Sequence, residues 1–157
     1  MVAVSVSSVR DEASESLYEK DFYAWVQIQS ALIRQGQWAD LDVPNLVEEI
    51  ESLGRQQRSE LRNRLSVLLM HLLKWEYQPE KRSRSWRSTI RIQRIEIADL
   101  IADSPSLKPY LQEAIKRSYE KAIIAASDET GLLEATFPTE VGYTAHQILD
   151  DSFFPGA

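Results

Sequence analysis

Residues 42–75 read DVPNLVEEIESLGRQQRSELRNRLSVLLMHLLKW, and the fold turns on them. Asp42 is of the N-cap type, and Pro44 falls in the first turn, where a missing N–H removes no hydrogen bond. Glu48, Glu49 and Glu51 crowd the early turns, where the helix dipole favours negative charge. Apolar residues recur at Leu46, Ile50 and Leu53, and again at Leu61, Leu65, Leu68, Leu72 and Trp75. Within each run the steps are three and four residues, which draw one stripe along a helix. Gly54 interrupts it at a cost of roughly 1 kcal/mol relative to alanine. Toward the end Val67, Leu69, Met70 and Leu73 join the stripe, so apolar side chains surround most of the helix there. Such a segment needs neighbours on several sides. The spacing therefore predicts one long central helix, with the rest of the chain built to cover it.

The flanking sequence supplies those neighbours. Asp21 caps a first helix running to about Gln35, with Phe22, Trp25, Ile28, Gln29, Leu32 and Ile33 on its face and Gly36 just past its end. Trp38, in the short connector, is expected to tuck into the core. Gln78-Pro79 marks the end of the long helix. Ser83 or Ser85 caps a third helix to about Asp103, whose buried face is expected at Trp86, Ile90, Ile97 and Leu100 or Ile101. Ser104 caps and Pro105 begins a fourth helix to about Thr130, closed by Gly131. In the remaining stretch Thr144 caps a short helix from Ala145 to Asp150, and Phe153 and Phe154 pin the end back on the bundle. No strand-like alternation is present. The fold class read from this pattern is all-α: an antiparallel bundle of four main helices around one long central helix, with a loop-rich C-terminal tail. Residues 1–17, small, polar and serine-rich, are expected to form a flexible tail, and residues 18–157 a single helical domain.

A hydrophobic share of 43% beside 27% charged residues is ordinary for a globular protein. The absence of cysteine excludes disulfides, thiolate catalysis and cysteine zinc sites. No run approaches the roughly 18 apolar residues of a membrane span, and the first residues lack a basic segment followed by an apolar one, as a signal peptide requires. The expected location is the cytoplasm, with no membrane partner. The net charge of −6 conceals an ordering. Residues 1–51 carry 3 basic and 10 acidic side chains, residues 52–94 carry 11 and 3, and residues 95–157 carry 4 and 11. The chain is acidic, then basic, then acidic.

Several stretches carry a resemblance: NLVEEIESLG at 45–54, HLLKWEYQPEKRSRSW at 71–86 followed by TI and QR, DSPSLK at 103–108, ETGL at 129–132 and YTAHQILD at 143–150. On these the chain resembles the bacterial family known as domain of unknown function 29, from about Asp21 to Pro155. The resemblance implies an all-helical cytoplasmic domain. It brings no established activity and no catalytic residue to carry over.

The sharpest chemical feature is Lys81, Arg82, Arg84, Arg87, Arg91 and Arg94, with no acid among residues 81–95. On a helix Arg84, Arg87, Arg91 and Arg94 fall at steps of three, four and three and form one candidate interaction stripe. Guanidinium groups suit a carboxylate or phosphate partner because they engage it at two points in one plane. The charge order equally allows the chain's own acidic segments to neutralise the stripe. An external occupant would be an acidic or mixed-charge protein or a second copy of the chain. Nucleic acid is the lesser candidate because the chain is acidic overall. His71, Lys74 and Arg82 form a second candidate, a small anion pocket near the end of the long helix. Against it, Lys74 and His71 suit the C-terminal turns of a helix in any case. No metal site is expected: the motif E-x-x-H is absent, and Glu48 and His71 are separated by roughly 35 Å of helix. No phosphate-cradling glycine loop and no complete catalytic set is present, so no cofactor and no catalytic residue is assigned. The reading is a non-enzymatic protein-interaction module. Nucleic-acid binding by the same stripe, and an enzyme or small-anion-binding protein using Lys74 and Arg82, are the alternatives.

Overall fold

A computed structural model describes residues 17–156. Residues 1–16, most of the expected tail, lie outside the described residues. The four main helices are α1 (Phe22–Arg34), α2 (Val43–Tyr77), α3 (Arg84–Asp103) and α4 (Leu111–Thr130), and a short α5 (Ala145–Leu149) follows. Among the described residues there is no strand. The chain divides into two compact units, one up to Arg55 and one from Gln56 onward, and α2 runs through both.

In the first unit α1 and the opening turns of α2 form an antiparallel pair. Asp21 caps α1, its side chain accepting from the Ala24 N–H at 3.0 Å. Gly36, at φ 70°, turns the chain out of the helix in a conformation that side chains resist. Asp42 is the anchor of the pair. Its carboxylate accepts from Trp25 Nε1 at 2.9 Å and from Asn45 Nδ2 at 2.8 Å, and its backbone N–H donates to Gln29 Oε1 at 2.9 Å. Further along, the Tyr18 hydroxyl donates to Glu49. The partner numbers rise on α2 as they fall toward the start of α1, which fixes the antiparallel sense. Trp38 departs from expectation. It sits in a 3₁₀ turn, Trp38–Asp40, and is 65% exposed. Of the apolar side chains described in this unit only Trp25 is buried, so there is no core there to receive it.

The second unit holds the principal core. Leu61, Leu65, Leu68 and Leu72 of α2 are fully buried, together with Ile90 and Ile97 of α3 and Ala122 and Ala126 of α4. Arg64 pairs with Glu96 and Gln57 accepts from Ser104, so α3 runs antiparallel to α2. Contacts from Arg62 to Tyr110, Ser66 to Ser118 and Lys74 to Glu129 climb together, so α4 runs parallel to α2. On α4, Ala114, Ser118, Ala122 and Ala126 recur every four residues and are all buried. These small side chains let the two helices approach closely enough for Ser118 Oγ to reach the Arg62 carbonyl at 2.9 Å.

The fourth helix begins later than the sequence suggested. Residues Pro105–Tyr110 form a 3₁₀ segment, and the α-helix starts only at Leu111. Pro109 is the cause: inside an α-helix its ring would meet the carbonyl four residues earlier, and it has no N–H to donate. Gly131, at φ 73°, closes the helix as expected. The C-terminal segment then folds back over the unit. Thr144 and Gln147 form a reciprocal capping box on α5, Ile148 is fully buried, and Phe154 lies 4.9 Å from the Trp75 ring. No helix of the described residues is long and apolar enough to cross a membrane.

Candidate interaction surface

Helix α3 carries the arginine stripe, and its start is well defined. Ser83 accepts from the Trp86 N–H at 3.2 Å and so caps the first turn. Ile90, Arg94 and Ile97 are the residues of α3 buried on its inner face, with Trp86, Leu100 and Ile101 half-buried against the core. Arg84, Arg87 and Arg91 are exposed, and so are Ile92 and Ile95. The outer face of α3 is therefore cationic toward its N-terminal end and apolar toward its middle.

The four arginines of the stripe do not share one environment. Arg84 and Arg91 make no ion pair among the described residues, nor does Arg87, whose guanidinium lies 5.0 Å from the centre of the Phe154 ring and 5.8 Å from that of Trp75. Arg94 is 2% exposed. Its Nε donates to the Ile148 carbonyl at 2.8 Å and its Nη2 to the Phe153 carbonyl at 2.8 Å. It also lies 5.5 Å from the Phe154 ring. Burial pulls its affinity for a proton below the ordinary guanidinium range, and the carboxylates of Asp151 and Asp150 oppose that pull. Arg94 is thus a fastener between α3 and the C-terminal segment, while Arg84, Arg87 and Arg91 face outward.

The residues of the second candidate, near the end of α2, are held by the chain itself. Lys74 is buried, ion-paired to Glu129, and lies 4.5 Å from the centre of the Trp86 ring. Arg82 donates through Nε to the Trp75 carbonyl at 2.8 Å and through Nη2 to the Gly156 carbonyl at 3.1 Å. His71 donates through Nδ1 to the Val67 carbonyl at 2.8 Å. Burial lowers the His71 pKa; the hydrogen bond to the Val67 carbonyl and the Glu129 charge oppose that, and the nearby Lys74 charge adds to it. His71 and Lys74 are therefore neighbours, while Arg82 turns to the C-terminal residues. Glu129 and Glu76, the second of which accepts from Tyr143, complete this region, and sequence reasoning did not find them. Both pairings join residues more than fifty positions apart, and no local pattern marks them.

The fold and these surfaces define an all-helical domain with an outward-facing arginine helix. The family model for "Domain of unknown function DUF29" matches residues 17–154, and the chain belongs to that family. No curated protein and no solved structure matches the chain.

Proposed function

We propose that the chain is a cytoplasmic protein-interaction module that engages an acidic or mixed-charge protein through the outer face of α3. The observation that carries this reading is the state of Arg84, Arg87 and Arg91: all three are exposed, and none makes an ion pair among the described residues. Arg55, Arg64, Lys74 and Arg117 each have a carboxylate partner, whereas the stripe of α3 gathers three unpaired guanidinium groups on one helix face. Unpaired guanidinium groups next to exposed Ile92 and Ile95 suit a partner that brings carboxylates and an apolar patch together, with the charges steering the encounter and the isoleucines supplying buried area.

The test is affinity capture from host lysate with the full chain and with a variant carrying Arg84→Glu and Arg91→Glu, each with and without nuclease. A protein retained by the unaltered chain in both lanes, and weakened at least about tenfold by the charge reversals, is the expected result; added salt should weaken it as well. Retention that ignores the reversals would remove the arginine face from the account. Capture lost on nuclease treatment would replace the protein partner with nucleic acid.

A further inference from the structure

Three guanidinium groups gather on two aromatic rings where α2 ends, α3 begins and the C-terminal segment folds back. The rings of Trp75 and Phe154 lie 4.9 Å apart. Arg82 sits 5.2 Å from the centre of the Trp75 ring, and Arg94 sits 5.5 Å from that of Phe154. Arg87 is common to both rings, at 5.8 Å and 5.0 Å. Neighbouring charges in this row therefore lie within roughly the 10 Å screening length of 0.1 M salt. None of the three makes an ion pair among the described residues. The carboxylates that border the cluster are engaged otherwise. Glu76 accepts from the Tyr143 hydroxyl, and Asp150 accepts from the N–H and hydroxyl of Ser152. Asp150 and Asp151 reach Arg94 only as charges at a distance. The ring faces attract the cations without neutralising them.

The hydrogen bonds of the cluster are also incomplete. A guanidinium group has five N–H donors. Arg94 directs Nε and Nη2 at the Ile148 and Phe153 carbonyls, and its Nη1 is buried with no partner. Arg82 directs its own Nε and Nη2 at the Trp75 and Gly156 carbonyls. Trp75 is 7% exposed, and its indole Nε1 is likewise buried with no partner. A buried N–H without an acceptor forfeits the hydrogen bond that water gives it in the unfolded chain. A water molecule would accept from either donor but leave three positive charges unopposed. An oxyanion does both, because its oxygens accept and its charge offsets the guanidinium groups. A phosphate group, with three acceptor oxygens and a charge near −2, matches three guanidinium groups better than a carboxylate with two oxygens and one charge. Arg87 is exposed and Arg82 half-buried, which leaves the cluster open to solvent on their side.

We propose that Arg82, Arg87 and Arg94, with Trp75 Nε1, form a binding site for a phosphate group. Arg82 thus belongs to a different anion site from the one that His71 and Lys74 suggested. The site shares Arg87 with the outer face of α3 but uses neither Arg84 nor Arg91. It is tested with a small ion and no protein partner, so either reading can fail alone.

Isothermal titration calorimetry of the full chain with inorganic phosphate tests it, against chloride at matched ionic strength. Arg87→Gln is compared with Arg84→Gln, an exposed arginine of the same helix outside the cluster. The expected result is saturable phosphate binding, weakened at least about tenfold by Arg87→Gln and less than about twofold by Arg84→Gln. Both side chains are exposed, so neither substitution disturbs the core. Nuclear magnetic resonance adds a readout inside the cluster. Of the four tryptophan indole N–H signals, that of Trp75, assigned by its loss in Trp75→Phe, should move on phosphate addition, while those of Trp25 and Trp38 stay in place. Phosphoserine in place of phosphate separates the sources: tighter binding assigns the site to a phosphorylated side chain, weaker binding to the free ion. Chloride that acts as phosphate does, an equal loss in both arginine variants, or a Trp75 signal that stays in place would overturn the proposal and leave an adventitious ion only.

Discussion

Arg94 and Arg91 are three residues apart and of one chemical type, yet their surroundings differ. Arg94 is buried and holds carbonyls of the C-terminal segment, whereas Arg91 is exposed and unpaired among the described residues. Replacing Arg94 with Met strands at least two acceptors and removes charged hydrogen bonds, so Arg94→Met should cost about 3 kcal/mol. Arg91→Met should stay within about 0.5 kcal/mol, as surface changes do. Urea denaturation of the two variants checks the contrast, and equal costs would contradict the placement of Arg94. His71 offers a second test at this scale. Burial, its leading influence, depresses its pKa from the ordinary 6.5, so the unfolded chain takes up a proton at a higher pH than the folded one does. The folding stability due to neutral His71 is therefore complete above about pH 6.5 and is lost as the pH falls below that value toward the depressed folded pKa, by at most about 1.4 kcal/mol per pH unit. Denaturation midpoints between pH 7.5 and 5.5 should fall for the unaltered chain, and His71→Gln should flatten the dependence.

At the scale of elements, periodicity and punctuation were enough wherever a local rule decides the outcome. Asp21, Ser83 and Thr144 cap the helices that their positions announce, and Gly131 ends one by its left-handed backbone. The stripe from Leu61 to Trp75 is buried as its spacing requires. Pro109 was legible in principle, because proline inside a helix forces the tighter segment actually present. Two features were not legible. The stripe predicts that Ile50 and Leu53 need cover, and within the single chain they lack it; periodicity says that a face is apolar and not who covers it. Likewise the arginine spacing on α3 is real, but which of its members turns inward depends on a C-terminal segment more than fifty residues away. Helical spacing places Arg87, Arg91 and Arg94 together; Arg87 and Arg94 both reach the Phe154 ring, but only Arg94 is buried by the C-terminal segment.

For the whole molecule, the uneven distribution of core has a measurable consequence. Helix α2 is one continuous element, but its two ends live under different conditions. From Leu61 to Trp75 it is surrounded by buried side chains, while from Val43 to Leu53 the chain buries none of its apolar residues. Backbone hydrogen bonds are alike along the helix, so the free energy of opening each stretch is set mainly by the packing around it. Amides of residues 61–75 should exchange with solvent only through large-scale unfolding. Those of residues 43–53 and of α1 should exchange by local opening, far faster. Hydrogen–deuterium exchange read by mass spectrometry should therefore show residues 22–34 and 43–53 losing protection well before residues 61–75. Uniform protection along α2 would contradict this and mean that its first turns have a core of their own.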